Sequence, residues 1–148
     1  MPFASGGGPP RLTVESQIRV LRAGQHNRFT TTVRLQAPSA GVPAHPLCLP
    51  WARRLRLYLR PSAGVALVPT APLERIPAPV GEIGWTLPDL HWSADITVAL
   101  QVSVDRGLAL PGTCVPLLWV RIAGVVGGRM PLALRAPALA LAARAAPT

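Results

Sequence analysis

The chain reads as all-β: an antiparallel β-sandwich of the immunoglobulin-like kind, built from seven to nine short strands. Three observations predict it. Apolar residues recur at every second position along several stretches, the period of a half-buried strand. The 18 prolines and 13 glycines fall between those stretches rather than in one tract, which is how turns are punctuated in an all-β chain. Helical periodicity is weak everywhere except in an alanine-rich stretch at the C-terminal end.

The elements follow in order. MPFASGGGPP, residues 1–10, is a Gly/Pro-rich flexible leader. Leu12, Val14, Ser16, Ile18 and Val20 then point one way, and Thr13, Glu15, Gln17 and Arg19 the other. RAGQHN, residues 22–27, is a turn into Phe29, Thr31, Val33 and Leu35, and the two arms make a β-hairpin. QAPSAGVPAHPLCLPW, residues 36–51, has four prolines and no period, so it is a long connection between sheets. Leu55, Leu57 and Leu59 alternate with Arg54, Arg56, Tyr58 and Arg60 in a strand with an apolar and a basic face. Residues 65–68 and 73–76 are short strands, the second bounded by prolines and so at an edge.

Residues 84–87 form a short arm, Pro88 and Asp89 begin a turn, and Ile96, Val98, Leu100, Val102 and Val104 are the clearest core face. The next strand, from about Cys114 to Ala123, is apolar on both faces around residues 115–120. Gly127 and Gly128 suit a hairpin turn into Met130, Leu132 and Leu134. A last strand at 139–141 fades into a flexible tail, 142–148, so one sandwich domain spans 11–141.

With 148 residues, the chain is long enough to bury about 68–70% of its unfolded surface without metals or crosslinks. An apolar share of 49% and a mean hydropathy of +0.33 exclude global disorder. The formal charge is +9, which raises nucleic-acid binding. All 15 basic residues are Arg, however, the mark of a high-GC coding sequence, and only Arg53, Arg54, Arg56 and Arg60 cluster. Nucleic acid is therefore the lesser partner. The N-terminus lacks a basic and an apolar region, so it does not read as a secretory signal. No clean run of roughly 20 apolar residues predicts a membrane span. A cytoplasmic protein with reduced, buried thiols at Cys48 and Cys114 is the expectation.

The order of three phrases resembles a known module. LRLYLRPSAGVALVPT, GEIGWTLPDLHWSADITVALQVSV and GLALPGTCVPLLWVRIAG resemble the β-sandwich that accompanies von Willebrand factor A (VWA) domains in bacterial proteins. Thr86-Leu87-Pro88-Asp89-Leu90 stands where that module has a Leu-Gly-Asp-Leu-like turn. FTTTVRLQAP, residues 29–38, is similar to the strand before an inserted VWA domain. The resemblance covers residues 12–124 and implies a docking module whose partner is a VWA-domain protein. The Asp-x-Ser-x-Ser metal loop of a VWA domain is absent from the sequence, so no metal site carries over to any residue here.

Chemical activity finds little support. There is no Gly-x-Ser-x-Gly elbow, and Gly6-Gly7-Gly8 lacks the lysine of a phosphate loop. Asp89, His91 and Asp95 lie close together, but no second His or Cys completes a ligand set. His26 and His45 fall in a turn and a loop. No catalytic, metal or cofactor residue is assigned, and the expected function is a non-enzymatic module for protein–protein contact or assembly. The candidate interaction surface is Trp85, Asp89, His91 and Trp92 at one end, with Arg53, Arg54, Arg56 and Arg60 on a strand face. Trp119 is expected in the core. Trp85 and Trp92 either plug the end of the sandwich or form an aromatic patch for a carbohydrate or another ligand.

Overall fold

The computed structural model describes residues 9–39, 49–127 and 129–145. They form twelve strands and no helix: β1 (Arg11–Ser16), β2 (Val20–Arg22), β3 (Asn27–Gln36), β4 (Pro50–Pro61), β5 (Val65–Pro69), β6 (Arg75–Ile76), β7 (Ile83–Thr86), β8 (Leu90–His91), β9 (Asp95–Val104), β10 (Cys114–Val126), β11 (Met130–Arg135) and β12 (Leu139–Arg144). Two sheets pack face to face. The smaller runs β1-β3-β9-β5, and the larger runs β2-β12-β10-β4-β7-β6, with β11 also beside β10 and β8 beside β4. All pairings are antiparallel except β2 with β12. The sandwich class stands as expected. The strand count exceeds seven to nine because β2, β6 and β8 are only two or three residues long.

The core lies between the sheets. Phe29, Val33 and Leu35 of β3 and Leu100, Val102 and Val104 of β9 meet Leu55, Leu57 and Leu59 of β4 and Val120 and Ile122 of β10, all nearly inaccessible. The alternating residues anticipated on β3 and β9 do face inward, as period two requires. Thr31 shares this face at 0% exposure.

Several expectations change in the folded chain. The stretch from Leu12 to Val20 is not one strand. After Ser16, whose hydroxyl accepts from the Ile18 amide (3.3 Å), the chain crosses to the other sheet, and β2 pairs parallel with β12. Leu21, with no exposure, seals the crossing. Buried Asn27 holds the turn that follows. Its Oδ1 accepts from the Arg22 amide (2.9 Å), and its Nδ2 donates to the carbonyls of Arg22 and Gln25 (3.0 Å each). The expected tail is also corrected: β12 extends to Arg144, because residues 142–144 pair with β2 and Ala143 is buried. The leader before residue 9 and residues 40–48, with His45 and Cys48, lie outside the described residues. Cys114 is exposed at the start of β10, not buried.

Two bulges set which side chains face out. On β4 the register slips opposite residues 123–125, and Arg54 takes φ 54°. Ala52 and Leu55 thereby both stay inward. Gly124 makes the room, since a Cβ there would lie 2.7 Å from Leu55 Cδ2 and 3.1 Å from the Arg53 carbonyl. On β10 a second slip between Pro116 and Leu118 leaves Leu117 and Leu118 both buried. Beyond it Val120 and Ile122 face the core, so Trp119 and Arg121 face out.

The phrase Thr86-Leu87-Pro88-Asp89-Leu90 is not a turn. Residues 87–89 carry the chain past the β4 bulge, with the Leu87 amide bonded to the Leu55 carbonyl (2.9 Å). The same chain then resumes beside β4 as β8. Reversal into β9 comes at Trp92 and Ser93, where Ser93 takes φ 60°.

Candidate arginine-lined functional site

The outer face of the larger sheet gathers its charges by cross-strand register. Arg60 of β4 sits opposite Trp119 of β10, and Tyr58 sits opposite Arg121. On the other side of β10, Arg121 sits opposite Arg135 of β11. Directly opposed side chains on one face lie in contact range, and two such pairs close. The Arg60 guanidinium lies 4.7 Å from the centre of the Trp119 ring, and that of Arg121 lies 4.1 Å from the centre of the Tyr58 ring. Both are cation–π stacks. The Tyr58 ring lies over Gly84, its opposite residue on β7, where a Cβ would come within 3.1 Å of the ring.

Arg121 and Arg135 are like charges set side by side, an arrangement that costs energy unless screened. Glu82, just before β7, supplies the counter-charge. It accepts two bonds from Arg121, Nε to Oε2 at 2.7 Å and Nη2 to Oε1 at 2.9 Å. The bond to Arg121 holds the Glu82 carboxyl below its ordinary range, against the opposing effect of burial, and Arg60 and Arg135 add to the lowering through their fields. Arg121 is pushed up by the same bond. A hollow of about 200 Å3 opens here, lined by the side chains of Arg60, Glu82, Trp119, Arg121 and Arg135 with Val80, Ala136 and the β10 chain at Val120. Three cations face one anion, and neither Arg60 nor Arg135 has an ion-pair partner among the described residues.

The anticipated surface is only partly assembled. Arg53, Arg54, Arg56 and Arg60 are all exposed, but only Arg60 reaches the hollow. Arg56 lies beside Ala123 and Thr86, Arg53 beside Val125, and Arg54 occupies the bulge. The aromatic patch does not form. Trp85 is 5% exposed, on the inward face of β7 opposite Leu57, whereas Trp92 is 43% exposed in the turn before β9. Trp85 belongs to the core, and with it buried the two-tryptophan ligand reading falls. Asp89 and His91 are exposed, with His91 paired to Pro50 in β8. Asp95, the third member of that group, accepts from Arg34 Nε (2.8 Å).

Trp119, expected in the core, is half-buried on the outer face because the β10 bulge turns it out. Sequence reasoning missed Glu82, Arg121 and Arg135 as a group. Glu82 and Arg121 are 39 positions apart and meet only through β4. The one available signal was Arg121 itself, a charge inside the most apolar strand.

No protein-family model and no curated protein sequence matches the chain. Solved structures do. The chain is similar to the major pilin subunit BcpA of Bacillus cereus (TM-score 0.63, 8% identity, covering 93% of this chain and 41% of that one). It is similar also to the major pilin SpaD of Corynebacterium diphtheriae (0.54, 10%, 88% and 34%). A third similarity is to a C-terminal fragment of the major pilin GBS80 of Streptococcus agalactiae (0.55, 8%, 91% and 56%). The chain thus spans 34–56% of the length of these structures. At such identities the likeness establishes the fold: the chain has the β-sandwich architecture found within major pilin subunits.

Proposed function

We propose that this chain is a non-enzymatic β-sandwich module that makes protein–protein contacts within an assembly, by offering a sheet edge to an extended segment of a partner. The observation that carries the reading is the open edge of β11. Among the described residues it pairs with β10 on one side only. The Ala136 amide bonds to the Val120 carbonyl (3.1 Å), which fixes the alternation of an antiparallel ladder. Leu132 and Leu134 therefore bond to β10, while Ala133 and Arg135 turn their N–H and C=O groups outward. Those are the groups a partner strand uses.

Three other edges offer less: β6 has two residues and is followed by Pro77, β2 has three, and β5 ends on Pro69 with no donor there. β1 is an edge as long as β11, paired with β3 alone among the described residues, but it does not adjoin the arginine-lined hollow. Similarity to pilin subunits, proteins that assemble, supports the reading. The resemblance in the sequence points to a VWA-domain protein as the partner, and a cytoplasmic location goes with that reading. Both belong to the proposal.

A photo-crosslinking residue at Ala133, with a control at exposed Arg106 in the β9–β10 connection, tests it in source cells. A discrete protein captured at Ala133 and not at Arg106 is the expected result, and a VWA domain in it would establish that partner. Equal capture at both positions, or none, rejects contact through the edge. Fractionation of the same cells reads the location.

A further inference from the structure

The β11 edge and the charged hollow share one residue. Arg135 turns its backbone outward at the edge, and its side chain rims the hollow with Arg60 and Arg121. A strand added antiparallel to β11 would set one of its residues directly opposite Arg135 as a hydrogen-bonded pair, on the same outer face, with Cα atoms about 5.5 Å apart. Resting on the strand-addition reading above, we infer that the β11 edge and the Arg60–Arg121–Arg135 cluster form one docking site, for an extended partner segment that carries an acidic side chain opposite Arg135.

Charge complementarity selects this occupant. Three guanidiniums face one carboxylate in the hollow, and Glu82 already binds Arg121 through both oxygens. Arg135 and Arg60 retain their charge for an incoming anion. Arg135 meets it directly, while Arg60 stands behind, held in place by its stack on Trp119. A second copy suits the site less well: the chain carries 15 basic residues against 6 acidic ones, so two such molecules repel overall. Nucleic acid fits less well than a peptide. The aromatic plane in the hollow is already covered by Arg60, so it offers no free platform for base stacking. An open ladder of N–H and C=O groups matches a peptide backbone.

The probe is an eight-residue peptide of alternating threonine and valine, blocked at both ends, with one central glutamate. Its twins carry glutamine instead, or glutamine with a free C-terminal carboxylate. Binding to the full chain is followed by NMR at the Ala133 and Arg135 amides and the Trp119 indole, at low salt. The glutamate peptide is expected to bind about tenfold more tightly than its blocked glutamine twin. Arg135→Gln should bring the two within about twofold with the melting temperature little changed, and Arg60→Gln should remove part of the preference and, with its stack on Trp119 lost, lower the melting temperature by no more than about 4 °C.

Equal binding of the glutamate and glutamine peptides overturns the acidic docking site. If Ala133→Pro then weakens both, contact through the edge still stands. Failure of every peptide to bind below roughly 1 mM, preference for the free C-terminal carboxylate, or tighter binding of an oligothymidylate each overturns the inference as well. Crosslinking at Ala133 decides the strand-edge reading separately.

Discussion

Glu82→Gln should lower the stability of the fold and raise its affinity for an acidic segment, two effects of opposite sign from one neutralised charge. The bidentate bond to Arg121 joins side chains only 16% and 31% exposed, so it should exceed the median surface ion pair. A loss of about 1–2 kcal/mol is expected, part of it from the unscreened Arg121–Arg135 pair. For a chain of this length each kcal/mol lowers Tm by about 2–4 °C. At the docking site the local formal charge rises from +2 to +3. With charges about 8 Å apart and an effective dielectric of about 40, the added attraction is about 1 kcal/mol. That corresponds to about fivefold in Kd, shrinking as salt shortens the Debye length to about 8 Å at physiological ionic strength.

Urea unfolding and titration with the glutamate peptide at two salt concentrations read both effects. The pH dependence gives a third reading. Glu82 has a lowered pKa in the folded state, so its stabilisation is present above the ordinary carboxylate pKa. It is lost as pH falls through the lower folded value. The gap between the parent chain and Glu82→Gln should therefore close in acid. Unchanged stability together with unchanged peptide affinity would refute the assigned role of Glu82 as the counter-charge of the cluster.

Three more outcomes follow from particular contacts. Thr31→Val should be neutral or stabilising by about 1 kcal/mol, because the Thr31 hydroxyl is fully buried with no hydrogen-bond partner among the described residues. A clear loss in thermal unfolding would show that the hydroxyl is satisfied. Gly84→Ala should cost about 1–3 kcal/mol, since its Cβ would lie 2.9 Å from Ile76 and 3.1 Å from the Tyr58 ring; NMR of that ring should show its stack with Arg121 disturbed. Arg34→Ala should change stability by no more than about 0.5 kcal/mol in urea unfolding, because its partner Asp95 and Arg34 itself are 41% and 48% exposed.

Alternation made β3, β9 and the apolar face of β4 legible in the sequence, because burying one sheet face imposes period two on the side chains themselves. The hairpin at Gly127 was legible for a related reason: its φ of 61° suits glycine. Nothing local marked the bulges on β4 and β10. Each inserts one residue and inverts the inside–outside assignment beyond it, so Trp119, in the most apolar strand, lines the hollow on the outer face instead of the core. The same limit hid the true setting of Thr86-Leu87-Pro88-Asp89-Leu90, whose shape answers a bulge on another strand.

Local composition and period were enough to determine that the chain is a sandwich and which residues of β3, β9 and the regular part of β4 fill its centre, since alternation depends on neighbours one or two positions away. The docking face depends on register between strands far apart in the chain: Arg60 on Trp119, Tyr58 under Arg121, Arg121 beside Arg135, and Glu82 bound across β4. Only tertiary pairing decides such neighbours. Hydrophobic burial constrains which face a residue takes, while the identity of the residue opposite is set by bulges and edges that form when the sheets close.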